Sequence, residues 1–441
     1  MAPVPPLSAS ELLTLIIQLT ALLGVALLLG RLAARLGMPA IVGELLAGVV
    51  LGPSLLGHAA PAVYHWLFPA TPTQQHLLDA VGQFGVILLV GIAGAHLDVA
   101  SLPRRGATAL KVSAFGLTIP LALGVTAGYF APLSLMPHHD RVVFGVFVGV
   151  AMCVTAIPVI AKTLADMRLL HREVGQLTLT AGMVDDAVAW FLLSVVSAMA
   201  TVGLHQGPLT RSVLYLVGFV VVAGLVGRPL VRAVMRLAGR STESGPTITT
   251  AVVLVLVGAA VTQSLRMEAV FGAFVAGILI GAPGVVDAKR LAPLRTVVLS
   301  VLAPIFLASA GLRMDLTTLR HPVVLLAALV ALAIAVAGKF TGAYLGSRLS
   351  RMGHWEGVAV GAGMNARGVV EIVVAMVGLR LGVLNVTSYT IVALIAVVTS
   401  LMAPPLLRIA MSRVSQNAEE QLRLSYQEDW GAADTAQKPA T

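Results

Sequence analysis

The sequence predicts an all-α polytopic membrane protein. About thirteen spanning helices form inverted repeats, and two of the helices are broken where they cross at the midplane. Three observations carry this. The 441 residues are 58% hydrophobic and only 11% charged, about half the charge of an ordinary soluble domain. A thirteen-residue stretch of the second span recurs in the ninth. Two spans at repeat-related positions also carry helix breakers. Glycine reaches 43 residues while aromatics stay at 5%, a balance that lets membrane helices approach closely.

The apolar segments lie near 11–33, 39–55, 77–97, 109–131, 141–166, 174–203, 213–238, 247–265, 267–284, 293–312, 322–348, 355–379 and 386–412. Each is long enough to be read as a spanning helix. The first is long enough to stay as a helix, and no cleavable signal stands out. With the N-terminus outside, the inner loops hold nineteen Lys and Arg, among them Arg31, Arg35, Arg104, Arg105 and Arg168. The outer loops hold six, such as Arg141 and Arg320. That bias places the C-terminus in the cytoplasm of a cell or inner membrane. The net charge of +9 therefore reflects orientation and does not point to nucleic acid. One cysteine, Cys153, leaves no internal disulfide. The polar tail 413–441 is expected to be disordered.

The recurring stretch is AIVGELLAGVVLG at 40–52 and AVFGAFVAGILIG at 269–281, with five of thirteen positions identical. The two spans are seven apart, an odd number, so the copies point opposite ways. Inverted repeats of this kind mark secondary transporters, whose sites sit at the midplane beside broken helices. The same offset relates span five to span twelve. Span five carries CVTAIP at 153–158, where Pro158 removes a backbone donor and disfavours helix at Ile157. Span twelve carries GAGMNARG at 361–368, a poor membrane helix because of its three glycines, Asn365 and Arg367. Unwound there, freed carbonyls and opposed half-helix dipoles can coordinate a cation. The alternative is two kinked but continuous helices.

Span six, VGQLTLTAGMVDDAVAWFLLSVVSAMATVG, holds two adjacent carboxylates near its middle, Asp185 and Asp186. A single charge at that depth costs about 2.5–3.5 kcal/mol on insertion scales, so each needs a partner or a task. Lys339, deep in span eleven, is a natural partner for one of them. Neighbouring helix residues point about 100° apart, so one aspartate can meet Lys339 while the other faces a cavity. Arg367 and Glu371 are spaced i, i+4 and can pair locally, a mostly structural reading. Glu44 and Glu268 read as framework or surface groups. A satisfied structural pair is the plain alternative for Asp185 and Asp186.

These residues resemble the cation:proton antiporter superfamily, in particular the branch holding the bacterial Nap and Kef proteins and the plant CHX exchangers. The resemblance covers residues 10–412. It is carried by PAIVGELLAGVVLGPSLLG at 39–57, VTAIPVIAKTLADM at 154–167, VDDAVAWFLL at 184–193, APIFLASAGLRMDL at 303–316, Lys339 and GMNARGVVEIVVA at 363–375. It implies an Na+/H+ antiporter-like fold. Asp186 would bind cation and proton in turn, Asp185 would pair with Lys339, and Thr155 would lie beside the ion. Asn365, Arg367, Glu371 and Pro158 would be supporting residues. It further implies a homodimer, with a panel (helices near 11–97 and 247–312), a linker (213–238) and a core (109–203 and 322–412) that moves against the panel. Kef-type chains carry Gln-Asp where this one has Asp185-Asp186. In span twelve the acid is displaced to Glu371, a CHX-like feature that leaves Na+ and K+ both open. The tail is too short for the nucleotide-binding domain found in many relatives.

The expected activity is therefore exchange of Na+ or K+ for H+ across the bilayer, with no enzymatic step and no cofactor. Three rivals use the same residues differently. A cation channel would need a ring of selectivity carbonyls, which is not evident. An intramembrane aspartyl protease needs two aspartates converging from separate helices, not adjacent on one. An organic-ion/proton transporter on the same fold would use Lys339 and Arg367 to hold a carboxylate.

Overall fold

The computed structural model describes residues 7–96, 102–137, 140–203, 206–241, 243–416 and 420. Among them every regular element is helical. The chain begins with α1 (Ala9–Arg35), α2 (Ala40–Leu51), the short α3 (Leu56–Ala59) and α4 (Pro61–Leu67), then α5 (Pro72–Ala95) and α6 (Leu102–Tyr129). Next come α7 (Arg141–Cys153), α8 (Ile157–Asp166), α9 (Glu173–Val202), α10 (Gln206–Val222), α11 (Arg228–Ala238), α12 (Gly245–Ser264) and α13 (Ala269–Gly281). The last are α14 (Ala288–Val297), α15 (Ala303–Gly311), α16 (Pro322–Leu349), α17 (His354–Met364), α18 (Val369–Arg380) and α19 (Val386–Met411). Single π turns, Ala223–Gly227 and Val298–Leu302, join α10 to α11 and α14 to α15.

Each expected span coincides with helix. Among the described residues, ten stretches are long and apolar enough to cross a bilayer, and the pair α17–α18, bent by 44° at its break, makes an eleventh. The other two expected spans are shorter than the sequence implies. The helices α7 and α13 have thirteen residues each, about 20 Å against a hydrocarbon core of about 30 Å. In α7 the helix stops because the chain runs extended through 154–156 before α8. In α13 eight of the thirteen residues are buried, so the helix is fitted to neighbouring helices and not to the lipid thickness.

The repeat is visible in the packing. On one side α2 lies against α1 and α15, and on the other α13 lies against α12 and α5. Under the offset, α1 corresponds to α12, α2 to α13 and α5 to α15. Each copy of the glycine-rich motif therefore packs on its own first helix and on the third helix of the opposite copy. The contacts are backbone to backbone: a Cβ at Gly48 would lie 1.9 Å from the Ala308 carbonyl oxygen, and one at Gly277 would lie 2.0 Å from that of Gly91. A second group gathers α6, α7, α9, α16, α17 and α19, with α6 packed along α16. Pro120, inside α6, packs against Gly338 of α16, next to Lys339, where a Cβ would lie 3.1 Å from the Pro120 Cα.

Most of the tail expectation lies outside the described residues. Its first part is ordered by Arg172, in the turn between α8 and α9. Arg172 donates to the carbonyls of Val414 and Ser415 at 3.0 and 3.1 Å and pairs with Glu420 at 3.0 Å.

Gly48→Ala should lower stability by about 1–3 kcal/mol, as overpacking does. Gly218→Ala, where a Cβ meets nothing within 4 Å, should be neutral or stabilising. Thermal unfolding of the purified protein in detergent compares the two, and equal midpoints would refute the close-contact account.

Candidate functional site

Two broken helices meet in the second group. The segment 154–156 is extended between α7 and α8, and 366–368 is extended between α17 and α18. The backbone N–H of Ala156 donates to the carbonyl of Ala366 at 3.1 Å, so the two unwound segments are tied to each other. Pro158 stands in the first turn of α8, where its missing N–H is not needed. Ser400 of α19 holds the crossing from behind by donating to the Arg367 carbonyl.

The helix α9 passes beside this crossing with both aspartates. Asp185 is fully buried and fully engaged. Its Oδ1 accepts from Ser113 Oγ of α6 at 2.5 Å, and its Oδ2 accepts from Thr155 Oγ1 at 2.9 Å and Lys339 Nζ at 2.5 Å. Thr155 thus bonds to Asp185. Asp186 is also buried, yet its Oδ1 has no hydrogen-bond partner. Trp190 follows one turn after Asp186, on the same helical face, and packs at a tilt against Phe274 of α13, 6.0 Å between centroids. Asp186 therefore lies on the side of α9 turned toward the first helix group, while Asp185 is turned into the second.

The freed carbonyls are largely taken by protein cations. Lys339 Nζ donates to the Cys153 carbonyl at 2.6 Å. Arg367 donates to the carbonyls of Ala151 at 3.4 Å, Met152, and Ala335 of α16 at 3.1 Å, and pairs with Glu371 at 3.1 Å. Three carbonyls at the last turn of α7, the negative end of its dipole, thus meet two buried cations. Side chains thus satisfy these α7 carbonyls. Glu371 Oε2 and both amide atoms of Asn365 are buried without a partner. Glu44 stays in the contact of α2 with α1, near Gly30. Glu268, at the N-terminus of α13, pairs with Arg380 of α18.

Sequence reasoning did not find Ser113 or Ser400. Each is one of several hydroxyls in an apolar helix, and neighbours such as Thr118 and Thr399 bond only to the preceding turn of their own helix. Nothing in composition separates the two kinds. No group of three or more potential metal-ligating side chains occurs among the described residues.

Crossed discontinuous helices around buried charges, in a bundle of inverted repeats, define a secondary transporter. The chain belongs to the transmembrane sodium/hydrogen exchanger family, whose profile matches residues 21–413, and it is a multi-pass membrane protein. It is 30% identical over 402 residues to the Na(+)/H(+) antiporter NhaS4 of Synechocystis sp., spanning 91% of this chain and 98% of that protein. It is 31% identical over 396 residues to cation/H(+) antiporter 17 of Arabidopsis thaliana, spanning 89% of this chain but 48% of that one, so it covers about half the length of the plant relative. Among solved structures, the sodium proton antiporter MjNhaP1 from Methanocaldococcus jannaschii superposes with a TM-score of 0.69 at 17% identity, over 91% of this chain and 99% of that one, which shows a shared fold.

Arg367→Leu should cost about 3–5 kcal/mol, because it leaves Glu371 and the α7 carbonyls without their cation. The double variant Arg367→Leu/Glu371→Leu should recover part of that loss, since it removes both buried charges. Unfolding midpoints of the wild type, both single variants and the double variant give the coupling; strictly additive losses would show the pair to be uncoupled.

Proposed function

We propose that this protein exchanges Na+ or K+ for H+ by alternating access, with Asp186 as the shared site. The observation that carries the reading is the contrast between the two aspartates. Asp185 is saturated by Ser113, Thr155 and Lys339, whereas Asp186 keeps a buried oxygen without a partner. One carboxylate cannot hold a proton and a cation at once, so each displaces the other. The loaded group crosses; an empty, charged Asp186 is costly at the midplane. The names of the relatives, an Na(+)/H(+) antiporter and a cation/H(+) antiporter, agree with this substrate class. In this reading α6–α9 and α16–α19 form the moving core, α1–α5 and α12–α15 the panel, and two copies make a dimer. The N-terminus faces outward from a cell membrane.

Proteoliposomes holding a pH gradient test the assignment. Addition of Na+ or K+ should dissipate the gradient with the wild type, and Asp186→Asn should abolish that response. Because protons compete for the same group, the apparent KM for the cation should rise as pH falls, by up to about tenfold per unit where the proton holds the site. A KM independent of pH would remove the competition mechanism. Flux thousands of times faster than a carrier's would favour a channel instead.

One link bears on the closed side. Arg380, ending α18, pairs with Glu268 at the start of α13 and donates to Gln83 of α5 at 3.2 Å. In the proposed arrangement this bond joins core to panel at the outer end. Glu268→Gln should therefore loosen that end. A cysteine introduced at the buried Val377 should then label faster with an impermeant thiol reagent added outside, by about two- to fivefold if the weakened pair is worth the expected 0.5–1 kcal/mol. Unchanged labelling would show that the pair does not hold the outer side shut.

A further inference from the structure

A cavity of about 390 Å³ opens between α6, α7, α16 and α19, away from the aspartates. The volume lies within the range of about 300–1,000 Å³ typical of small-molecule sites. Its walls are aliphatic and aromatic apart from Ser388, whose hydroxyl is spent on the Asn385 cap of α19. A polar occupant would lose its hydrogen bonds there, and water has no partners along such walls. The rim is formed by Phe130, Val323, Leu326 and Val330, which are 75, 58, 64 and 48% exposed. Three of them belong to the spanning helix α16, so the mouth is continuous with the lipid-facing surface of the bundle.

The deep end touches the scaffold of the candidate site. Met152 and Ile334 line the cavity. The Met152 carbonyl, and that of Ala335 next to Ile334, both accept from Arg367. Two cations lie close to the rim along the chain. Arg141 is anchored on the Tyr129 carbonyl at 2.8 Å, one residue before Phe130, and Arg320 is exposed three residues before Val323. An arginine is suited to a phosphate oxygen.

We propose that this cavity is a phospholipid site: one acyl chain of an anionic phospholipid, from the leaflet at the N-terminal end of α16, fills the groove, and its phosphate lies near Arg141 and Arg320. The apolar walls select the chain and the mouth selects the charge. The bound chain braces the broken end of α7 against α16, so it stabilises the folded protein whether or not the exchange mechanism above is correct.

The test uses the full-length protein, purified and delipidated in detergent. Dioleoylphosphatidylglycerol should be retained as an adduct in native mass spectrometry and should raise the unfolding midpoint by a few degrees, as a ligand bound only to the folded state does. Glycerol phosphate alone should do neither. Ala331→Phe, which fills the groove, should abolish both effects. Arg141→Gln/Arg320→Gln should keep lipid binding but lose the preference for phosphatidylglycerol over phosphatidylcholine. Should Ala331→Phe fail to fold, a phosphatidylglycerol with a photoreactive group at the chain end serves in its place, and cross-linking to peptides holding Val148 or Met152 is the supporting result. Undiminished lipid stabilisation of folded Ala331→Phe, or cross-links only outside the cavity lining, would overturn the proposal. So would a wild type that shows no preference between the two headgroups.

Discussion

A helix broken inside a bilayer leaves backbone groups that lipid cannot satisfy, and the rest of this structure follows from how that debt is met at the end of α7. The carbonyls of Ala151, Met152 and Cys153 are taken by Arg367 and Lys339. Those cations cannot stay buried without anions, so Glu371 and Asp185 are fixed in turn. Each anion comes from a different element: Glu371 from the helix that restarts after the second break, Asp185 from α9. The crossing, the two ion pairs and the positions of α9 and α16 are therefore one connected arrangement. Truncating any member exposes a buried charge rather than a mere gap.

The framework around the crossing rests on close backbone packing. Contacts such as Gly48 on Ala308 and Gly277 on Gly91 bring backbones together at distances where no side chain fits. Between lipid-solvated helices there is little hydrophobic gain in association, so packing of this closeness carries the interface. The group that holds the charges shares this packing where α6 meets α16 and α7, as at Gly342 on Phe115 and Gly128 on Gly145, and adds ion pairs and hydrogen bonds across its broken helices.

Much of this was legible in the sequence, for physical reasons that can be named. Hydropathy located every span because a membrane helix must be apolar along its length, and it overestimated α13 because a buried helix need not match the bilayer. The breaks at 154–156 and 366–368 were legible from Pro158 and from the glycines around Asn365 and Arg367, since few sequences of that kind stay helical. The charges were legible as charges: five ionisable groups at membrane depth have few partners other than one another. What the sequence withheld was direction. Nothing in it said that Arg367 would reach across to α7, or that Ser113 rather than Thr118 would point at Asp185, because those choices depend on helix rotation by a fraction of a turn.

The same geometry bears on why two aspartates stand side by side. Lys339 and Arg367 supply two positive charges at the crossing, while Asp185 and Glu371 supply two negative ones. The scaffold is neutral before Asp186 is counted. Under the proposed exchange, the charged form of Asp186 leaves the buried crossing with one net negative charge, and a single monovalent guest, proton or cation, restores neutrality there. A guest carrying two charges would leave an excess of one and meet the same midplane cost as no guest at all. Selection for a monovalent ion would then need no selective ring of ligands, only a scaffold whose own charges cancel. Were Asp185 not saturated by Ser113, Thr155 and Lys339, it would compete for the guest and blur that count. Under that proposal, its three partners would keep one carboxylate out of the exchange so that its neighbour could take part.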